Sequence, residues 1–294
     1  MSTTDQPPKP KRRWYQFSLL TLLLATVVLC VGFAWIGARM RRAEENRERV
    51  DIEQARVEKT VPRLEELGGT LLIAHARREP SWLQEQFNDP GDLVGDLSVS
   101  VNGDFRFNDA GLEYLKGLSN LTQLDLRRAK VTDAGMAHLE GHTDLELLLL
   151  DNANVSDAGL QHLGKLTSLK VLHLGKTKIT DAGLSHLTKL SNLRSVYIHG
   201  TNITDEGLLH FSGLTNLDDL ALSGTKVTDA GMAQLSGLTS LKRLLLGNTK
   251  VSDAGLRQLE GLANLEVLDL TGTNVTNQGV DRLRQALPKC EIIR

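Results

Sequence analysis

The chain has 294 residues, a formal net charge of −2 and an aromatic content of 4%. This composition argues against nucleic acid as a partner, since a nucleic-acid-binding surface needs an excess of basic residues and stacking aromatics. The two cysteines, Cys30 and Cys290, are too few for a disulfide framework, so they leave the redox compartment open.

The first element in chain order is an apolar run over residues 17–38, which contains 22 residues without a charge. About 20 apolar residues span a bilayer as a helix. Trp14, Tyr15 and Trp35 lie near its ends, where interfacial aromatics belong. Arginines follow at once and favour a membrane stop over a cleaved signal peptide, although small residues around Ala34 leave cleavage open. The pattern predicts a short basic tail over 1–16 and one transmembrane helix over 17–38.

The orientation of this single-pass anchor is less well determined. Lysines and arginines lie on both sides of the apolar run, and acidic residues count little in the positive-inside rule, so the two sides nearly balance. Long domains can also cross the membrane regardless of flanking charge. We expect the short basic tail to stay inside and the rest of the chain to lie outside the cytoplasm, with the reverse orientation left open.

Residues 39–60 are charged and rich in helix formers, which predicts a helical stalk. Polar residues between the valines of its heptad-like spacing, and Pro62 beyond it, argue against a coiled coil. Further on, "PRLEELGG" predicts a helix closed by Gly68, "PSWLQEQF" a short helix, and "TLLIA" and "DLSVSVNGD" two strands. Residues 61–108 are therefore predicted to form the N-terminal cap that a repeat array needs.

From residue 109 onward the chain repeats itself every 24 residues. An Asp-x-Gly pair begins at Asp109, Asp133, Asp157, Asp181, Asp205, Asp229 and Asp253, with Asn277 in the last place. In each unit "LxL" has the period of a strand with one buried face, and "GLxxLxxL" has that of a short helix. The Thr or Ser before every Asp after the first is a good N-cap residue. Because one unit cannot bury its own leucines, neighbours must stack into a parallel-stranded α/β solenoid.

The shared pattern LxxLxLxx(T/A)x(V/I)(T/S)DxGLxxLxxL resembles the 24-residue, TDxGL-type leucine-rich repeat over residues 109–294, and "ALPKCEII" resembles its closing half-repeat, with Cys290 and Ile292 facing the core. The resemblance implies a curved parallel sheet on the concave face and short helices on the convex face. It also implies that the concave face binds ligands. With the apolar run, the stalk, "LEELGG" and "PSWL", the chain resembles bacterial single-pass membrane-anchored leucine-rich-repeat proteins of undefined role.

Two columns of the repeat depart from the usual pattern. The Asn that normally follows the strand is replaced by Thr in five units and by Ala129 and Ala153 in the first two. A Thr hydroxyl can bond to nearby backbone and Ala cannot, so we expect looser first turns. His142 interrupts a leucine column, which predicts a softer second repeat.

The residues between the buried strand positions are predicted to face out across the concave sheet. An amphipathic tyrosine beside imidazoles and exposed aliphatic side chains has the composition of a contact patch, although strand propensity alone also favours such residues. The candidate ligand-binding residues are Leu147, Leu149, Val171, His173, Tyr197, His199, Asp219, Arg243 and Leu245. Replacing both Tyr197 and His173 by Ala is expected to abolish ligand binding and to leave thermal stability nearly intact.

Two further columns have ordinary explanations. His138, His162, His186 and His210 recur at one helical position, but stacked helices lie about 8–10 Å apart, too far for imidazoles to share a metal. A lysine column (Lys130, Lys178, Lys226, Lys250) could meet an anionic partner or form a solvated edge. The sequence contains no GxSxG, P-loop or HExxH motif.

These observations predict no enzyme, metal or cofactor. The predicted function is that of a membrane-anchored recognition module that binds a protein or surface ligand through the concave face. The alternative is a scaffold of the cell envelope that acts by self-association or spacing, and a homo-oligomer remains open.

Overall fold

The computed structural model of the protein describes residues 19–74, 96–101 and 106–294. The predicted basic tail and the short helix predicted at residues 80–87 lie outside these ranges. Of the predicted membrane segment, residues 17 and 18 lie outside them, and the side chains up to residue 36 are not described either.

The first element of the described residues is a helix of 48 residues, α1 (Leu19–Glu66). It runs past the stalk boundary predicted at residue 60 and contains Pro62. Gly68, with a φ of +80°, ends it as predicted, and the Gly69 N–H donates to the Leu64 carbonyl at 2.7 Å. Within the described residues, no helix has both the length and the apolar character needed to cross a membrane. The membrane segment, its orientation and the domain boundaries stay predictions.

A ten-stranded sheet with its strands in sequence order forms one side of the described molecule. The strands are β1 (Thr70–Ala74), β2 (Asp96–Ser100), β3 (Leu121–Asp125), β4 (Leu147–Leu149), β5 (Val171–His173), β6 (Ser195–Tyr197), β7 (Asp219–Ala221), β8 (Arg243–Leu245), β9 (Val267–Asp269) and β10 (Glu291–Ile293). β1 pairs with β2 antiparallel, whereas β2 to β10 are parallel. From β3 onward the register advances by 24 residues per strand, so Leu172 lies between Leu148 and Val196. The predicted parallel solenoid is confirmed.

Short helices form the opposite side. α-Helices lie at Asp109–Leu115, Asp133–Met136, Asp157–Leu160, Asp181–Leu184, Asp229–Leu235, Asp253–Leu259 and Asn277–Ala286, and 3-10 helices at Ala137–Leu139, Gln161–Lys165, Ser185–Leu187 and Gly207–Phe211. Most begin at the Asp of the repeat, and the Ser156, Thr228 and Ser252 side chains accept from the backbone N–H two residues on, as an N-cap does.

The leucine columns form one continuous buried core between the sheet and the helices. At its N-terminal end, Leu64 of α1 and Phe107 are fully buried. At its C-terminal end Cys290 is buried and Ile292 packs against the core, as predicted. Burial raises the pKa of the Cys290 thiol to about 11. No single repeat encloses its own leucines, so the core is stable only as a stack.

The Asp-x-Gly pair joins each repeat to the next. The Thr132 N–H donates to Asp109 Oδ1 at 2.8 Å and the Thr132 hydroxyl to Oδ2 at 2.7 Å. The same two bonds recur from Ser156 to Asp133 and at every later step, up to Thr276 and Asp253. The glycine makes room for this carboxylate, because a Cβ on Gly159 would lie 2.6 Å from Asp133 Oδ1. The sequence predicted the Asp at the N-terminus of its own helix, but it did not predict this link between repeats.

The threonines that replace the usual Asn bond to nearby backbone, as expected. His142 differs from the leucines at the equivalent position of other repeats. Thr177, for example, donates its hydroxyl to the Leu174 carbonyl at 2.6 Å. Ala129 retains a backbone bond to Leu126 at 3.0 Å but has no hydroxyl to add a second one. His142 is 6% exposed, and its Nε2 has no hydrogen-bond partner among the described residues. Burial lowers the pKa of this ring. Looser first turns and a softer second repeat stay predictions.

Candidate ligand-binding face

The sheet register places the nine candidate residues on one face. Leu147, Val171, Asp219 and Arg243 lie in one column, with Ser195 between them, and Leu149, His173, Tyr197 and Leu245 lie in the next, with Ala221 between them. His199 is the second residue after the end of β6. One expectation is corrected: Leu147, Leu149 and Val171 are half-buried rather than exposed, because neighbouring strands pack their side chains against one another.

Tyr197, Asp219 and Arg243 form one cluster. The Tyr197 hydroxyl donates to Asp219 Oδ2, and Arg243 Nη2 lies 2.8 Å from the same oxygen. Asp219 is buried, and within the described residues its other oxygen, Oδ1, has no hydrogen-bond partner. Burial and the bond to Asp219 raise the pKa of Tyr197 to about 12, so its hydroxyl stays protonated and donating at neutral pH. Tyr197 therefore holds a carboxylate in place as well as presenting its ring.

A second cluster lies beside the first. His173 Nδ1 lies 3.2 Å from Asp151 Oδ2, and the Gly175 N–H donates to Asp151 Oδ1 at 2.8 Å. Burial raises the pKa of Asp151, but these bonds and the charge of His173 outweigh it and leave the pKa below its ordinary value. The His173 ring stacks on Tyr197 with centroids 4.1 Å apart. The two clusters thus form one connected row from the end of β4 to β8.

An open pocket of about 310 Å³ lies beside this row, at the ends of β6 to β8. Its lining comprises Lys176, Tyr197, His199, Gly200, Ala221, Ser223, Gly224, Leu245 and Asn248. Small residues make its floor: Gly200 and Gly224 have φ of +65° and +70° and lie against each other. The pocket exists because two successive repeats lack large side chains here.

Three of these lining residues were predicted from the sequence to bind a ligand, and the others were not. Tyr197, His199 and Leu245 were candidates, whereas Lys176, Ala221, Ser223 and Asn248 were not. Asp151, which anchors His173, was also missed. The available signal was the run of small residues at equivalent positions of consecutive repeats, which marks a gap in the surface.

In the histidine column, His162 contacts a carboxylate. The ring of His162 lies 2.6 Å from Glu140 Oε1, and Lys165 donates to Oε2 at 2.5 Å. These two bonds lower the pKa of Glu140 to about 2. The column lysines are exposed. In the part of the chain that the structure describes, no group of three or more His, Cys, Asp or Glu side chains could hold a metal ion.

Comparisons agree with this geometry. A family model described as "Leucine Rich repeat" matches residues 117–139, 165–187 and 261–283. The structure of internalin C2 from Listeria monocytogenes is similar at 27% identity and a TM-score of 0.53, covering 66% of this chain and 80% of that one. The chain contains leucine-rich repeats.

Two further solved structures show weaker similarity. Internalin F from Listeria monocytogenes is 21% identical with a TM-score of 0.38, covering 62% of this chain and 69% of that one. The ectodomain of the plant membrane receptor kinase GASSHO1/SCHENGEN3 from Arabidopsis thaliana, solved with CASPARIAN STRIP INTEGRITY FACTOR 2, is 17% identical with a TM-score of 0.44. It covers 67% of this chain and 22% of that one. The curated proteins gave no match. Leucine-rich-repeat domains typically mediate protein–protein interactions and are generally non-catalytic.

Proposed function

We propose that this protein is a non-catalytic recognition module that binds a protein or surface ligand through its concave face. The observation that carries the proposal is the open pocket beside Tyr197 and His199, on the sheet face where each repeat differs from its neighbours. A pocket with an aromatic wall and an apolar floor suits an anchoring side chain of a partner.

The surface around the pocket supports this proposal. Leu147, Leu149 and Val171 offer half-buried apolar area on β4 and β5, beside the His173 ring that stacks on Tyr197, a composition found at the centre of protein interfaces. Hydrogen bonds already fix Tyr197 and His173 in place. A partner would therefore order few side chains on binding, which lowers the entropic cost of association. Random variation of a sheet surface would not by itself build such a bonded row.

Membrane anchoring through residues 17–38 is part of the proposal and rests on the 22 uncharged residues of that segment. The repeats are proposed to lie outside the cytoplasm. A reporter enzyme fused after Arg294, active on one side of the membrane, tests this orientation. Activity outside supports it, whereas activity inside would place the concave face among cytosolic partners.

Site-directed photocrosslinking in the producing cells tests the binding face. Benzoylphenylalanine replaces Ser223, which lines the pocket, and in a matched control it replaces Ser191, an exposed serine in the turn before β6. We expect a discrete adduct with another protein from position 223 and a much weaker one from position 191. Equal yields from both positions, or none from 223, would contradict the proposal. An adduct with a second copy of the chain would instead support the self-associating scaffold.

A further inference from the structure

The third residue after each of the strands β3 to β9 takes a left-handed backbone conformation. The φ values lie between +56° and +71° at Arg128, Asn152, Lys176, Gly200, Gly224, Asn248 and Gly272. Gly and Asn adopt this conformation at little cost, whereas a side chain such as Lys or Arg brings its Cβ too close to the following carbonyl. Arg128 and Lys176 are therefore strained at a position where the other repeats have Gly or Asn. Gly or Asn at this position would remove the strain. A strained residue at such a position therefore indicates a role for its side chain.

Lys176 is placed to serve the pocket. Its backbone N–H donates to the His199 carbonyl at 2.8 Å, which fixes its main chain. Its side-chain stem lies across Gly200, where an added Cβ would come within 3.1 Å of Lys176 Cγ. The glycine thus leaves the space that the lysine stem occupies, and Lys176 lines the pocket together with the His199 ring.

The residues that line the pocket include a lysine. Among the described residues that line it, none is Asp or Glu, and Lys176 and His199 are the groups that can carry positive charge. Of the nearby carboxylates, Asp151 bonds to His173 and Gly175, and Asp219 bonds through its Oδ2 to Tyr197 and Arg243. Asp269 lies beside Gly247, where an added Cβ would come within 3.1 Å of its Oδ2 and 3.5 Å of Ser223 Oγ, and its Oδ1 accepts the Thr271 N–H at 2.9 Å.

We propose that the pocket binds an acidic side chain of a polypeptide ligand, with Lys176 as its ionic partner. The inference rests on the proposed function and specifies the ligand chemistry of the same site. Ser223 and Asn248 can donate further hydrogen bonds to the carboxylate, while Ala221 and Leu245 contact its apolar stem. Hydrogen bonds to an ionised acceptor are stronger than neutral ones, so a carboxylate should bind better than the isosteric amide.

The test compares two pools of fluorescein-labelled synthetic peptides that differ at one fixed position, Glu in the first pool and Gln in the second. Their binding to the full-length protein is measured by fluorescence anisotropy at low salt. We expect the Glu pool to bind about two- to fivefold more tightly, the range that a solvent-exposed ion pair gives. Higher salt should reduce the difference, because it screens exposed charges.

Two matched variants locate the effect. K176N and R128N each replace a strained cation by the Asn found at positions 152 and 248 of the same column, so neither should lower the melting temperature. K176N should remove the preference for Glu and R128N should retain it. Because the melting temperature is measured for both, loss of binding through misfolding is distinguished from loss of the ionic contact.

Equal binding of the two pools by the unaltered protein, binding of neither pool, or the same loss of preference in both variants would overturn the acidic ligand. The photocrosslinking result then decides the wider proposal separately. An adduct from position 223 keeps the concave face as the binding face, and its absence removes the proposed function as well.

Discussion

The helical side and the sheet side of this solenoid come from the same 24-residue unit, yet their polar groups behave differently. On the helical side each carboxylate bonds to the next repeat in the same way, from Asp109 to Asp253. On the sheet side the bonds differ from strand to strand, as in Asp151 with His173 and Tyr197 with Asp219. Bonds that recur at every step hold the stack together. The bonds on the sheet side are each made at a single step, and the pocket lies beside the row that they form.

The largest effect is expected from breaking the repeated bonds. Asp229 accepts the Ser252 N–H at 2.7 Å, the Ser252 hydroxyl at 2.6 Å and the Gly255 N–H at 2.9 Å. Asp229→Ala leaves these part-buried donors without an acceptor, so we expect the free energy of unfolding to fall by about 2–4 kcal/mol. Urea denaturation followed by circular dichroism measures the change.

The matched control is Asp144→Ala, which removes an exposed aspartate from a turn on the same chain. Its effect should stay within about 0.5 kcal/mol. If the two variants unfolded at the same urea concentration, the carboxylate links between repeats would not be what stabilises the stack.

A smaller effect is expected from the sheet side. Tyr197→Phe keeps the ring and its stack on His173 but removes the hydroxyl that donates to the buried Asp219 carboxylate. We expect the free energy of unfolding to fall by about 1–3 kcal/mol, because a buried charged acceptor loses a donor. Tyr114→Phe, at a tyrosine that is 41% exposed, is the control and should be neutral. A neutral result for Tyr197→Phe would mean that Arg243 alone satisfies Asp219.

This geometry revises one expectation drawn from the sequence. The double change of Tyr197 and His173 to Ala was expected to leave thermal stability nearly intact. Both side chains, however, bond to carboxylates that are largely buried, Asp219 and Asp151. The double variant would therefore lose stability as well as contact surface, and it cannot separate binding from folding. Ser223 and Lys176, at the pocket itself, allow that separation.

The fold could be predicted from the sequence because the same 24-residue pattern occurs in eight consecutive units. The apolar columns fixed strand register, buried faces and helix position, and Leu148 beside Leu172 follows from the 24-residue period alone. The link from Asp109 to Thr132 was missed because a period shows which residues are equivalent, but not whether a side chain bonds within its own unit or to the next.

The candidate site could be predicted only in part. Alternation in the strands placed Tyr197, His173 and Leu245 on the correct face. It did not reveal that Tyr197 bonds diagonally to Asp219, since that contact depends on side-chain rotamers across two strands. Lys176 was not among the candidate site residues, because the feature that distinguishes it is a backbone angle, which no pattern of residue types displays directly.

The smallest effect on stability is expected from His142, which departs from the leucine column on the helical side. His142 is buried where other repeats have leucine, and burial lowers its pKa from the ordinary value near 6.5. The unfolded chain therefore binds a proton below about pH 6.5 that the folded chain does not bind, so the free energy of unfolding falls as the pH drops through that window and is fully retained above it. His142→Leu removes this dependence and an unpartnered ring nitrogen. We expect a gain of about 1 kcal/mol at neutral pH and a larger one near pH 5.5. Urea denaturation at both pH values, with the half-buried His186→Leu as control, measures it. A gain that did not grow on acidification would show that packing, rather than the buried imidazole, makes this repeat differ from its neighbours.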